Sequence, residues 1–166
     1  MMAFCILYGI ISIRFHYYGE MITYVFMSLP AAIFAAVGWI KNPAQKGKNE
    51  VKVASMSKKK WLLLSVSALL VTVGFYFILK AFGTENLIFS TLSVTTSFFA
   101  AALLFFRSPY YAVAYATNDV VLIVLWILAA IESLSSLPMV ICFVAFLAND
   151  LYGFINWKRM EKRQAA

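Results

Sequence analysis

Five apolar blocks, each about the length of a membrane-spanning helix, dominate the sequence. They cover residues 21–40, 61–79, 87–106, 112–131 and 137–155; the first three contain no charged residue and the last two contain one Asp each. A helix of about 20 apolar residues crosses the hydrocarbon core of a bilayer. Only helices and closed barrels satisfy the backbone in lipid, and no alternating apolar pattern indicates a barrel. We therefore predict an all-α integral membrane protein.

The overall composition excludes an ordinary soluble domain. Of the 166 residues, 63% are hydrophobic and only 13% are charged, which is too little charge to cover a water-facing surface. A sixth apolar block, residues 1–13, is short for a span, but it lacks the basic start and small-residue cleavage site of a signal peptide. We predict that it is a sixth transmembrane helix, that the chain begins inside a helix, and that upstream sequence is missing.

The positions of the basic residues predict the orientation in the membrane. Residues 41–60 contain seven Lys and one Glu, and residues 158–166 contain four basic residues and one Glu. By the positive-inside rule, both segments are cytoplasmic, the first as a mobile basic linker and the second as a tail. The loops that this places outside, 83–86 and 132–136, contain no Lys or Arg. The net charge of +7 is thus explained by orientation, without nucleic acid as a partner.

Two similar segments place polar side chains inside the last two apolar blocks. ATNDVVLIVLW (116–126) and LANDLYGFINW (147–157) each contain Asn-Asp followed, after six residues, by Trp. The pairs Asn118–Asp119 and Asn149–Asp150 both lie about two turns from the cytoplasmic ends of their helices, roughly 10 Å deep. On antiparallel neighbouring helices, the two pairs would therefore lie at one depth.

Helical spacing adds aromatic residues to these polar pairs. Tyr111, Tyr115 and Asn118 share one helix face, and Asn149 and Tyr152 share another. An Asp within a span costs about 2.5–3.5 kcal/mol and normally faces a cavity or a partner. We predict that these faces line a polar pathway. The alternative is that the polar groups only join helices by hydrogen bonds, which contribute about 0.6 kcal/mol each.

Other features of the sequence indicate no catalytic chemistry. There is no metal-ligand spacing, phosphate-binding glycine loop or nucleophile–base pair, so we predict neither an enzyme nor a bound metal or cofactor. Cys5 and Cys142 lie in apolar blocks and are predicted to be packed thiols. Pro30 lies in the middle of a span and deprives the Phe26 carbonyl of its usual donor, which predicts a kink or a break that lines a cavity.

Several motifs together resemble the PnuC family of bacterial nicotinamide riboside transporters. They are YYGEM (17–21), GW (38–39), YATND (115–119) and LPMVICFVAFLANDLYGFINW (137–157). The resemblance implies a SWEET-like plan of two three-helix bundles joined by a linker helix. On this plan, residues 1–40 form an incomplete first bundle, 41–60 the basic linker, 61–81 the linker helix, 87–157 the second bundle and 158–166 the tail. The first helix of the family has no counterpart here.

The resemblance also implies a function. Members of the family carry nicotinamide riboside across the bacterial cell membrane by facilitated diffusion, and a cytosolic kinase traps the riboside for NAD synthesis. We predict a substrate-binding set that combines the residues above with Trp39. The set is Asn118, Asn149, Tyr111, Tyr115, Asp119, Asp150, Tyr152 and Trp39.

Two alternatives to this function stay open. The Trp positions of the family signature fall on Tyr111 and Ala114 here, which leaves room for another vitamin such as thiamine. The chain could instead be a non-transporting membrane scaffold or an inactive fragment. The sequence leaves the oligomeric state open, a homo-oligomer included, together with ion coupling and the protonation of Asp119 and Asp150.

Overall fold

Six apolar helices make up the fold of the residues that the structure describes. The computed structural model describes residues 2–44 and 50–165. The helices are α1 (Met2–Arg14), α2 (Tyr18–Lys41), α3 (Lys58–Ala81), α4 (Leu87–Phe105), α5 (Tyr111–Glu132) and α6 (Leu137–Ala165), with a 3₁₀ turn at Leu134–Ser136. Helices α2 to α6 are long and apolar enough to cross a membrane, whereas α1 is a shorter apolar helix. The protein is an all-α integral membrane protein, as predicted.

The connections between helices define two ends of the bundle. At the hairpin end lie the turns at residues 15–17, 82–86 and 133–136; there Asn86 Nδ2 donates to the Tyr17 hydroxyl over 3.2 Å. At the linker end lie residues 50–57, the turn at 106–110 and the last turns of α6; there the Ala54 amide donates to the Arg107 carbonyl over 3.1 Å. Helices α5 and α6 form the most extensive pair, followed by α4 with α5.

Helix α4 is the centre of the bundle. Its small residues Ser93, Ser97 and Ala101 are all buried, as expected for a close-packing face. Thr91 and Thr95 donate back to carbonyls of their own helix, and Thr95 also lies 2.6 Å from Thr72 of α3 across the helix interface. Helix α3 otherwise presents large apolar side chains to the surroundings, consistent with contact to lipid. They include Leu62, Leu63, Leu69, Leu70 and Phe77.

Helix α2 changes its hydrogen-bond pattern in the middle. Residues Thr23–Ser28 form a π-helical segment, and the Leu29 amide donates to the Tyr24 carbonyl five residues earlier. Pro30 follows directly and cannot donate a backbone hydrogen bond, so regular α-helical pairing cannot continue through this turn. π-Helical segments are frequent at functional sites. The irregularity expected at Pro30 is thus a local change of register within one continuous helix.

The linker end is more ordered than the sequence suggested. Lys58, Lys59 and Lys60, assigned to the linker, form the first turn of α3, and the Ser57 side chain accepts from the Lys60 amide over 3.4 Å. Helix α6 continues to Ala165, so the expected tail is helical. Of the other linker lysines, Lys46 and Lys48 lie outside the described residues.

The described part of the linker contacts the last turns of α6. Gln164 donates to the Val51 carbonyl over 3.0 Å and accepts from the Val53 amide over 2.9 Å. Arg163 also pairs with Glu50 over 2.9 Å. Residues 50–53 are therefore held by tertiary contacts, whereas the sequence predicted a mobile segment.

Buried aromatic and polar side chains pack together at the hairpin end. Trp126 Nε1 donates to the Tyr8 hydroxyl over 2.8 Å, and both side chains are completely buried. Ser93 donates to Glu20 Oε1 over 2.7 Å, and the Glu20 side chain is also completely buried. We call Tyr8, Tyr17, Glu20, Ser93 and Trp126 the hairpin-end cluster. It closes the bundle at this end.

Candidate functional site

A cavity of about 720 Å³ opens between the helices at the linker end. Small-molecule sites in proteins typically enclose about 300–1,000 Å³, so the size suits a small solute. Helices α1, α2, α4, α5 and α6 all contribute to its walls. The lining residues are Met2, Ala3, Phe4, Tyr24, Ala32, Ala35, Ala36, Trp39, Leu104, Tyr111, Tyr115, Asp119, Phe146, Asn149 and Asp150.

Aromatic rings form one continuous wall of this cavity. The ring centroids of Tyr111 and Tyr115 lie 6.1 Å apart, and both rings line the cavity. Trp157 supports this wall, because its ring lies 5.0 Å from Tyr111 and 5.3 Å from Trp39. These contacts fix the rings that would stack on a flat aromatic solute.

Polar groups in the cavity have unused hydrogen-bonding capacity. Trp39 Nε1, the Tyr115 hydroxyl and Asp119 Oδ2 are buried and have no hydrogen-bond partner among the described residues. Buried polar groups normally have partners, so each such exception calls for an explanation. Three of them around one cavity are explained if a polar solute or water completes their hydrogen bonds.

The charged residues that line the cavity are acidic. Asp119 comes from α5 and Asp150 from α6, and Asn149 Nδ2 donates to Asp150 Oδ1 over 3.4 Å. No Lys, Arg or His belongs to the described lining. Two carboxyl groups without a basic partner favour a cationic or hydroxyl-rich solute. Across residues 2–44 and 50–165, no group of three or more His, Cys, Asp or Glu is placed to hold a metal ion.

The structure brings six of the eight predicted binding residues to this cavity. They are Trp39, Tyr111, Tyr115, Asp119, Asn149 and Asp150. The antiparallel arrangement of α5 and α6 places both Asp side chains at one level, as the repeated Asn-Asp pattern suggested.

Asn118 lies behind the wall of the cavity. It is completely buried; its Oδ1 accepts from Thr96 over 2.7 Å and from Ser97 over 3.0 Å. Its Nδ2 donates over 3.1 Å to the hydroxyl of Tyr24, which does line the cavity. Asn118 therefore positions a lining residue and makes no contact with the cavity itself.

Tyr152 lies away from the cavity. Its side chain is 66% exposed on the outer surface of α6. Two residues along an α-helix correspond to a rotation of about 200°, so Tyr152 faces nearly opposite to Asp150. The shared face inferred from Asn149 and Tyr152 is therefore not the face that the cavity uses.

Several lining residues were not anticipated from the sequence. Tyr24, Phe4 and Phe146 contribute further rings, with Phe4 and Phe146 packed edge to face at 4.7 Å. Ala32, Ala35 and Ala36 provide the space opposite them. The i, i+3, i+4 spacing of these alanines was a readable signal, because small residues on one helix face leave room between helices.

Comparisons with known proteins agree with this architecture. A family profile described as "Nicotinamide mononucleotide transporter" matches residues 1–159. A crystal structure titled "Crystal structure of the Vitamin B3 transporter PnuC" superimposes with a TM-score of 0.79 at 25% identity, covering 95% of this chain and 69% of that chain.

Two curated relatives share sequence with nearly the whole chain. "Nicotinamide riboside transporter PnuC" of Neisseria mucosa is 26% identical over 163 residues, which are 96% of this chain and 62% of the relative. The protein of the same name in Haemophilus influenzae is 25% identical over 150 residues, which are 89% of this chain and 63% of the relative. The chain thus spans less than two thirds of the length of these relatives. It belongs to the nicotinamide mononucleotide transporter family of bacterial multi-pass membrane proteins.

Proposed function

We propose that the chain is a membrane carrier for nicotinamide riboside, working by facilitated diffusion. The observation that carries the proposal is the linker-end cavity, which combines an aromatic wall with two carboxyl groups and has no basic residue in its described lining. The family match and the curated relatives supply the class of solute.

The chemistry of the riboside complements the cavity group by group. Its pyridinium ring is flat and cationic, and a Tyr or Trp face attracts such a ring by about 0.5–2 kcal/mol. Asp119 and Asp150 can balance the ring charge or accept from ribose hydroxyls. Asn149 offers a donor and an acceptor, and Trp39 Nε1 offers a donor. Carriage of the riboside would require neither a cofactor nor a chemical step.

The cavity favours the riboside over its phosphorylated form. A phosphate brings up to two negative charges into a space that already contains Asp119 and Asp150. Phosphate sites in proteins use Arg, Lys or exposed backbone amides at helix N-termini. We therefore expect that the mononucleotide binds more weakly than the riboside.

The orientation and the fate of the solute are further parts of the proposal. The lysines and arginines at the linker end favour a cytoplasmic location for this end and for the C-terminus. A cytosolic kinase that phosphorylates the riboside would then trap it, since the phosphorylated product is disfavoured by the cavity. The chain would act as a monomer or a homo-oligomer in the bacterial cell membrane.

A binding experiment on the purified protein in lipid nanodiscs tests the solute. Thermal unfolding is followed with nicotinamide riboside, nicotinamide mononucleotide and thiamine as separate ligands. The riboside should raise the unfolding midpoint in a concentration-dependent manner. Asp150→Asn should weaken its binding about ten- to hundredfold, because a charge-assisted hydrogen bond contributes about 1.5–3 kcal/mol. Glu161→Gln, a matched change on α6 outside the cavity, should leave riboside binding unchanged.

Other results of this experiment would favour one of the alternative functions or contradict the electrostatic argument. A larger shift with thiamine than with the riboside would assign the cavity to thiamine. Equal shifts with riboside and mononucleotide would contradict the electrostatic argument. No shift with any of the three ligands would favour a scaffold without transport activity. Uptake of labelled riboside by cells that express the chain and a riboside kinase supplies the independent functional readout.

A further inference from the structure

A second concave surface lies at the linker end and faces outward between α3, α4 and α5. It encloses about 300 Å³. We call it the lateral groove. Its lining residues are Trp61, Thr96, Phe99, Leu103, Tyr110, Val113, Ala114 and Thr117. None of these residues is charged, so the groove is suited to an apolar occupant.

The shape and location of the lateral groove suit one hydrocarbon chain. It extends from Tyr110, at the start of α5, to Thr117, a distance of about 10 Å along the helix axis. Val113 is 40% exposed, so the groove is open to the surface that lipid covers. The groove therefore begins near the membrane surface and continues into the apolar layer, in the direction taken by a phospholipid tail.

Basic residues lie next to one end of the groove. Lys58, Lys59 and Lys60 immediately precede Trp61, which lines it. Lys60 Nζ lies 5.4 Å from the Phe106 ring centroid. None of the three lysines is in an ion pair among the described residues, where the pairs formed are Lys158–Glu161 and Arg163–Glu50.

Two further observations favour an anion near this part of the linker end. The first turn of α3 contains three lysines and no acidic residue, although the positive end of the helix dipole already lies there. Arg107, in the turn that leads to Tyr110, has its Nη1 atom buried without a hydrogen-bond partner among the described residues. A negatively charged group would reduce the repulsion between the three lysines and the positive end of the helix dipole. It could also accept a hydrogen bond from Arg107 Nη1.

We propose that the lateral groove and these basic residues form a binding site for one anionic phospholipid. The acyl chain fills the groove between Trp61 and Thr117, and the headgroup phosphate lies against Lys58, which shares a helix face with Trp61, and Lys60. A zwitterionic lipid offers the same tail without net negative charge, and a soluble phosphate offers the charge without the tail. The site therefore requires both parts of the lipid, and it is independent of the solute carried.

Lipid binding to the full chain in neutral detergent tests the proposal by native mass spectrometry and thermal unfolding. The probes are phosphatidylglycerol, phosphatidylcholine with the same acyl chains, and glycerol 3-phosphate. Phosphatidylglycerol should be retained and should raise the unfolding midpoint. Phosphatidylcholine should bind at least about tenfold more weakly, and glycerol 3-phosphate should have no effect. Equal retention of the two phospholipids would overturn the charged part of the site.

Paired variants separate the headgroup contacts from the groove. Lys58→Gln with Lys60→Gln should weaken phosphatidylglycerol binding at least about tenfold, whereas Lys80→Gln with Lys162→Gln, an equal loss of charge elsewhere, should leave it unchanged. Unchanged binding in the first variant, or an equal loss in the second, would show that the lysines at the groove are not the headgroup site.

A substitution within the groove tests the position of the tail. Val113→Trp fills the groove and should reduce the retention of phosphatidylglycerol, whereas Val120→Trp, at an exposed position two turns further along α5, should not. Full retention in Val113→Trp would place the tail elsewhere. If Val113→Trp does not fold, the lysine variants still decide whether the basic end of the groove binds the headgroup.

Discussion

One amide side chain connects three helices about two turns from the linker end of α5. Asn118 of α5 accepts from Thr96 and Ser97 of α4 and donates to Tyr24 of α2. Because the Tyr24 ring lines the cavity, this amide determines where one wall of the site lies. Its contribution to binding is therefore indirect, through the position of the tyrosine.

We expect Asn118→Ala to destabilise the protein without removing a solute contact. The substitution leaves two hydroxyl donors and one acceptor of a buried cluster without their partner, and such losses cost about 1–3 kcal/mol. The unfolding midpoint without ligand should therefore fall. Asp150→Asn should change this midpoint little, although it weakens binding.

Thr117→Ala is the matched control for this measurement. Thr117 precedes Asn118, and its hydroxyl donates only to the Val113 carbonyl of the same helix, over 2.9 Å. Its loss should leave the unfolding midpoint nearly unchanged. A normal midpoint in Asn118→Ala, combined with a loss of riboside binding as large as that of Asp150→Asn, would instead assign Asn118 to the site itself.

Individual residues show how far the sequence leads. Asp119 and Asp150 were identified because a carboxyl group inside a span is expensive unless a cavity or partner receives it. The cost of burial does not reveal which of two adjacent polar residues faces the cavity. That depends on the rotation of α5 against α4, which is set by packing at Ser97 and Thr96. For this reason Asp119 lines the cavity and Asn118 does not.

At the scale of elements, the π-helical segment of α2 connects a local irregularity to the site. It ends at Ser28, two residues before Pro30, and it contains Tyr24. The extra residue per turn changes the direction of side chains before the segment relative to those after it. Tyr24, within the segment, and Ala35, beyond the proline, both line the cavity.

Pro30→Ala tests whether this register matters for binding. An alanine restores a backbone donor, so we expect α-helical pairing to extend through the segment and to turn Tyr24 away from Asn118. Riboside binding, followed by the shift of the unfolding midpoint, should become two- to tenfold weaker. The helical content measured by circular dichroism should stay unchanged. Ala31→Gly is the control for a local loss of stiffness, because it makes the backbone more flexible but leaves Pro30 and the amide of residue 31 in place. Unchanged binding in Pro30→Ala would mean that the segment does not depend on the proline.

The boundaries of the elements were less predictable than their number. Apolar length alone revealed the spans, because a bilayer core has a fixed thickness. It could not show that α3 begins at Lys58, since lysines are compatible both with a loop and with a helix start at the membrane surface. Contacts distant in sequence, such as that of Gln164 with Val51, are invisible to any pattern of hydropathy.

At the scale of the whole molecule, the two ends of the bundle differ in charge and in openness. The linker end carries the basic residues and contains the cavity, whereas the hairpin end is closed by buried side chains. If the linker end is cytoplasmic, the cavity is open to the cytoplasm in this conformation. The arrangement of helices agrees with the solved relative over 95% of this chain.

The orientation can be measured with reporter fusions after the last residue. Green fluorescent protein folds in the cytoplasm and alkaline phosphatase in the periplasm, so a C-terminal fusion should fluoresce and lack phosphatase activity. Replacing Lys58, Lys59 and Lys60 by Gln should reduce the fluorescent fraction, because fewer positive charges then retain this end inside. A phosphatase-positive fusion of the unaltered chain would reverse the assignment.

The closure of the hairpin end has a consequence for how readily the molecule can rearrange. Three side-chain hydrogen bonds between distant parts of the described chain contribute to that closure, namely Trp126 to Tyr8, Ser93 to Glu20 and Asn86 to Tyr17. At about 0.6 kcal/mol each within a membrane, they amount to roughly 2 kcal/mol. A loss of these bonds alone would change the population of the closed arrangement by about thirtyfold. If the chain carries a solute as proposed, these three bonds alone are weak enough for thermal motion to break when the hairpin end opens.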